Sequence, residues 1–200
     1  MPTLEAADSA DLGQRLKLVA VEIPGSPGFG ALQTEGGGGG GGVVTSQAAY
    51  VGVDITRPAN TTAYTAGDAV GGASAINAFA AFGASGDHML LTSAELRYDV
   101  SAVPSGMGAF RLHLYTASPT AIADNAAWDL VAGDRSAYRG YIEFPAPADL
   151  GATLYSSIAQ INRHIQLAGT ALYGVLQTVG GYTPAAVSET LRLSLGGVRL

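Results

Sequence analysis

From residue 43 onward, short stretches of alternating apolar and polar residues recur between Pro- and Gly-bearing turn clusters, about every 8–15 residues, and this rhythm constrains the chain more than any other feature. Ala109 to Thr116 is the clearest case. Phe110, Leu112 and Leu114 fall on one side of an extended strand, and Arg111, His113 and Tyr115 fall on the other. Leu90 to Val100 behaves in the same way, with Leu96, Tyr98 and Val100 opposite Glu95, Arg97 and Asp99. Val51 to Thr56, Tyr138 to Phe144, Thr153 to Ile158, Arg163 to Ala168, Ala171 to Val179 and Thr190 to Leu200 complete the strand set. Pro58-Ala59-Asn60, Pro104-Ser105-Gly106, Ser118-Pro119, Pro145-Ala146-Pro147 and Gly180-Gly181-Tyr182-Thr183-Pro184 separate them. Proline fixes φ and glycine frees it, so these clusters turn the chain.

Helical signals are sparse. Ala121 to Leu130 has room for one helical turn, and Ala73 to Phe82 is apolar and ambiguous. Eight or nine strands at this spacing predict two packed antiparallel sheets: an all-β, jelly-roll-like sandwich with an extended N-terminal arm. Aromatic residues are 8% of the chain, so the core is expected to rest on Leu, Val, Ile and Ala.

The arm spans residues 1–35 and is followed by seven consecutive glycines, Gly36 to Gly42. Seven glycines bury no side chain and, as a flexible coil, span about 15 Å. They read as a slack linker to the body at 43–200, or as a segment crossing a crowded site where no Cβ fits. Neither GxxxxGK[ST] nor a strand–GxGxxG–helix context accompanies them, which argues against a phosphate loop. Within the arm, Gln14 to Ile23 reads as extended. Leu16, Leu18 and Ala20 lie on one face, and Val19, Val21 and Ile23 on the other. A strand apolar on both faces needs cover on both. It returns to its own domain or adds to a neighbouring chain, and the linker favours the neighbour. Leu16, Leu18, Val19, Val21 and Ile23 are therefore the expected partner-binding residues.

Charged residues make up 13% of the chain and hydrophobic residues 48%, which excludes a charge-rich disordered polymer. The net charge of −6 comes without a basic stripe, so nucleic acid is not an expected partner. No apolar run approaches the length that crosses a bilayer, so no membrane is expected either. The start of the chain is acidic at Glu5, Asp8 and Asp11, unlike a secretory signal, which points to synthesis in a cytoplasm. The absence of Cys removes disulfides, thiolate catalysis and Cys-held metals.

The remaining candidates for chemistry are weak. His88, His113 and His164 are far apart in sequence, without metal-ligand spacing, and each reads as a surface or half-buried ring, His113 on a polar strand face. Ser85, Asp87 and His88 lie close together, but a catalytic triad is a spatial arrangement, and G-x-S-x-G fails at Asp87. Asp124, Asp129 and Asp134 do not match a calcium loop and read as capping and turn residues. Glu95, Asp99 and Glu143 could be drawn into a glycosidase pair, as in any acidic β-protein. Asn60-Thr61-Thr62 reads as a turn. No cofactor, no metal and no catalysis are expected. Tyr and Arg residues, Arg57, Arg97, Arg111 and Arg192 among them, are spread along the body, many on predicted outward faces. They fit either a protein interface or ordinary solvent-facing strands.

Several segments carry a resemblance. They are Thr56 to Gly71 (TRPANTTAYTAGDAVG), Phe110 to Tyr115 (FRLHLY), Ala123 to Leu130 (ADNAAWDL), Gly133 to Ile142 (GDRSAYRGYI), Leu172 to Leu176 and Gly181 to Ala185. In this order they resemble a family of tailed-bacteriophage virion structural proteins of the capsid-decoration or head-associated type. The resemblance covers about residues 50–200 and leaves out the arm and glycine run. It implies a structural role in the virion, after synthesis in the host cytoplasm, with the major capsid protein or other virion proteins as partners and a homo-oligomeric state. It brings no catalytic motif and leaves head or tail open. The alternative is a receptor- or glycan-binding module of a tail or head fibre, with Trp128 and tyrosines as a sugar platform. A hydrolase using Asp87 or His88 is a third reading.

Overall fold

The computed structural model describes residues 48–200 and, ahead of them, the two strands Leu18–Ala20 and Leu32–Thr34. The chain divides into two compact units, Met1–Thr45 and Ser46–Leu200. In the first unit β1 (Leu18–Ala20) pairs antiparallel with β2 (Leu32–Thr34), Leu18 opposite Thr34 and Val19 opposite Gln33. Of the expected arm contacts, Leu16, Val21 and Ile23 lie outside the described residues, as does the run Gly36 to Gly42.

The second unit contains β3 (Ala48–Thr56), β4 (Ala69–Val70), β5 (Ile76–Phe79), β6 (His88–Tyr98), β7 (Phe110–Tyr115), β8 (Tyr138–Phe144), β9 (Ala148–Asp149), β10 (Leu154–Gln166), β11 (Leu172–Thr178) and β12 (Thr190–Arg199). One sheet runs β3-β12-β6-β10-β9 and the other β4-β11-β7-β8, with β5 also pairing β11. All pairings are antiparallel. With the short β5 and β9 set aside, the eight other strands counted in chain order stack as 1-8-3-6 over 2-7-4-5. This interleaving is the jelly roll, and the expected all-β sandwich is the observed fold.

Alternation builds the core. Leu191, Leu193 and Leu195 of β12 face Leu112 and Leu114 of β7 and Leu172 and Leu176 of β11, and all are fully buried. Each such leucine contributes about 1.5–3 kcal/mol by leaving water. In β6 the inward residues change phase, from Met89 and Leu91 to Ala94, Leu96 and Tyr98. The register with β12 slips at the same place, so that Gly196 pairs Ser93 and Gly197 pairs Leu91. The extra residue of this bulge lets both halves of the strand point into the core.

Three sequence expectations are corrected. Thr153 to Ile158 and Arg163 to Ala168 are one strand, β10, kinked at a register shift between Ala159 and Arg163 where Gln160 and Asn162 have φ of 60° and 51°. The ambiguous stretch 73–82 contains β5, because β11 offers it a pairing edge. The possible helical turn at 121–130 is instead irregular chain with one tight turn, Ala126 N–H to Ala123 O with Asn125 at φ 61°, bonded to β4 by Ala69 N–H to Ala126 O and Asn125 N–H to Ala69 O.

Candidate functional site

Two polar clusters and one exposed rim organise the described surface. The first cluster lies on the outer side of β7, β8 and β11. The segment from Thr116 to Ala137 crosses this side, fixed by Ala75 N–H to Ile122 O and Trp128 N–H to Gly67 O at 2.8 and 2.9 Å. It places the Trp128 ring on the His113 imidazole, 3.6 Å between centroids and 15° from parallel. Trp128 Nε1 donates to the Tyr115 hydroxyl at 3.3 Å. The face that alternation marks as polar is therefore a second small core, and His113 is only 3% exposed. This corrects the surface reading of His113. Alternation reports which residues share a face, and a covering loop decides whether that face meets water.

The surroundings of His113 fix its state. Gln177 Nε2 donates to Gly67 O at 3.1 Å, which turns its carbonyl towards the ring. His113 Nε2–H donates to Gln177 Oε1 at 3.0 Å, and Nδ1 accepts from the Tyr138 hydroxyl at 3.1 Å. Burial, supported by the nearby Arg111 charge and opposed by the Gln177 bond, lowers the pKa to about 4. The ring is neutral at pH 7, and both nitrogens are satisfied.

The second cluster ties loops to strand ends. Arg57 is among the largest fully buried side chains. Its Nε donates to the Tyr64 hydroxyl, which donates to Asp124 Oδ1 at 2.5 Å. Its other nitrogens lie 3.5 Å from Asp124 and 3.6 Å from Glu189. Tyr98 donates to Glu189, and Gly71 N–H to Asp124. Burial alone would push the guanidinium pKa down, but the Tyr64 bond and Asp124 charge outweigh it and hold it up. Burial pushes the Tyr64, Tyr98 and Tyr182 phenols up as well, so they remain neutral, and Tyr64 and Tyr98 act as donors. Removing one member of a buried pair leaves the other charge uncompensated, so the cluster acts as a unit. Sequence gave no sign of it, because Arg57 and Asp124 are 67 residues apart and meet only through the fold.

The other sequence candidates take structural places. Ser85 Oγ donates to Ala168 O, and Asp87 accepts from Ala84 N–H and pairs Arg199 at 3.0 Å. Asn60 accepts from Thr62 N–H as a turn bond, whereas Asp134 accepts from Thr120 N–H and ties together two points of the segment 14 residues apart. Glu95 accepts from Tyr50, and Glu143 pairs Arg111 at 2.8 Å, so neither faces the other as a glycosidase couple would. His88 and His164, distant in sequence, meet across β6 and β10 with Nδ1 and Nε2 2.8 Å apart and their rings nearly coplanar. Among the described residues, no group of three or more His, Asp or Glu side chains is gathered for a metal ion. The exposed rim beside the first cluster is Tyr141, 43% exposed, with the Arg111 guanidinium 4.9 Å above its ring.

No protein-family model matches the chain, and no curated protein sequence does. Among solved structures it is weakly similar to a chain in the native virion of Kashmir bee virus at acidic pH. The identity is 12%, 94% of each chain is covered and the TM-score is 0.23, a level of likeness that carries no functional argument.

Proposed function

We propose that this chain is a structural protein of a tailed-phage virion that decorates or cements the capsid through its N-terminal arm and jelly-roll body. It adheres to the major capsid protein or other virion proteins as a homo-oligomer, and it makes or breaks no bonds in a substrate. The observation that carries this reading is the arm: a strand pair, β1 and β2, in a unit of its own ahead in sequence of a sandwich whose fully buried core begins at Ile55. A two-stranded ribbon is marginal alone in water, and a partner surface completes it. The sequence segments that resemble virion proteins all lie in the body. The test is loading onto particles, measured by co-sedimentation. Full-length protein should load, and a chain lacking residues 1–42, or carrying Leu18→Asp with Val19→Asp, should fold and stay in the supernatant. Equal loading of the truncated body overturns the arm mechanism.

A second reading, a receptor- or glycan-binding module, draws on the Tyr141–Arg111 rim, where an exposed ring and a cation stand side by side. Trp128 is a poor probe of it, because its ring and Nε1 are engaged by His113 and Tyr115. Tyr141→Ala on a glycan array is the discriminating variant: loss of a specific sugar signal favours the module.

A further inference from the structure

A sheet edge presents unpaired N–H and C=O groups, and folded proteins guard such edges with short strands, bulges, charges, proline or cover. Three of the four lateral edges of the sandwich are guarded in this way. β4 and β5 are two and four residues long. The β8 edge is bent at Gly140, φ +84°, and crossed by Arg163, whose Nη1 donates to Arg139 O at 2.9 Å. The β10 edge is paired by β9 at Leu154 and Tyr155, and further along it is broken by the bulge between Ala159 and Arg163.

Among the described residues, the fourth edge, β3, has none of these devices along most of its length. Among the described residues its strand neighbour is β12, paired over nine consecutive residues without a register shift. It contains neither Pro nor Lys. Its one charge, Asp54, is neutralised by Arg192 of β12 at 2.7 and 2.8 Å. Ala49, Val51 and Val53 face the core but remain half-buried, whereas Leu191, Leu193 and Leu195 on the next strand are fully buried. Among the described residues the hydrophobic core is thus incompletely closed along β3, next to a row of backbone groups that no described strand pairs. Gly72 approaches the edge at the Thr56 carbonyl.

We propose that this edge pairs with β3 of a second copy of the chain, antiparallel about a two-fold axis near Gly52, joining the two β3 sheets into one. The occupant follows from self-complementarity. Rotation about Gly52 sets Val51 opposite Val53 of the other copy and Tyr50, whose hydroxyl already donates to Glu95, opposite Asp54, so apolar meets apolar and no like charges stand directly opposite each other. The added strand also covers the half-buried valines. A single strand pair buries less than the roughly 1,200 Å² of a stable standard interface, so the dimer is concentration-dependent and is reinforced where many copies sit on one surface. The inference rests on the homo-oligomeric part of the proposed function and names its surface; it concerns the free protein and not its loading onto particles, so the two fail separately.

The test uses full-length protein in sedimentation velocity over a concentration series reaching about 100 µM. The wild type should approach twice 20.1 kDa, and Val51→Lys should remain at 20.1 kDa with an unchanged circular dichroism spectrum. The chain has no cysteine, so engineered thiols report without background. Under mild oxidation, V51C mixed with V53C should give cross-linked dimer at least about tenfold above V51C alone, because these positions face each other in a strand pair. This exchange decides the matter should Val51→Lys fail to fold. A wild type that stays monomeric throughout, a dimer that folded Val51→Lys leaves intact, or a dimer without the V51C–V53C preference overturns the proposal, the last meaning that another segment occupies the edge.

Discussion

His113 shows how a single side chain records its cover. Its ring is closed in by Trp128, and its nitrogens are taken by Gln177 and Tyr138. The unfolded chain binds a proton there near pH 6.5, and the folded chain only near pH 4. Between those values the unfolded state holds more protons, so stability falls as pH falls through this window and levels off below it. The full displacement corresponds to about 3 kcal/mol. Urea melts of wild type and His113→Gln at pH 7, 5.5 and 4.5, each referred to its own value at pH 7, should show a steeper acid loss in the wild type. Carboxylates titrate in both proteins and cancel in the comparison. Equal slopes would mean that the ring is solvated in solution and that the loop does not seat as described.

Elements were legible where one face meets the core and the other meets water. Tyr138 to Phe144 is a strand with the bounds read from its alternation, and β6, β7, β11 and β12 differ from theirs by one or two residues at an end. What escaped has a physical cause in each case. β10 was divided because a bulge breaks period two at Gln160 and Asn162. β4 is two residues long and has no period to read. The segment over His113 has no repeating pattern because backbone bonds to β4 and its neighbours hold it, and the Arg57 cluster joins residues whose proximity exists only after both sheets have closed. The turns between elements carry comparable information at single positions. Gly106 has φ +85°, and a Cβ there would lie 2.6 Å from the Gly181 carbonyl oxygen, a backbone atom with little freedom to yield. Gly106→Ala therefore combines left-handed strain with a clash between two loops, costing about 2–4 kcal/mol. Gly108→Ala, with open space at its Cβ, is the matched control. The denaturant midpoint should fall sharply for the first and hardly move for the second.

At the scale of the whole molecule, the division into two compact units is the consequential feature. Both hydrophobic clusters of the sandwich draw only on residues 55–195 and their partly buried neighbours from Ala49 onward. The Arg57 cluster closes between residues 57 and 189. A chain begun at Ser46 should therefore keep its cooperative transition, with a melting temperature within about 2 °C of full length, a shift that corresponds to about 0.5–1 kcal/mol for a domain of this size. Strand pairs such as β3 with β12 join the two ends of the sandwich, so the fold has high contact order and should refold in milliseconds to seconds at a rate the truncation leaves unchanged. Calorimetry and stopped-flow refolding of the two chains measure both quantities. A large fall in melting temperature on truncation would mean that residues 1–45 contribute to the body's stability. The arm would then be part of the fold, and its absence from particles could no longer be read as loss of adhesion alone. Matching transitions, together with lost particle loading, would assign the body to architecture and the arm to attachment.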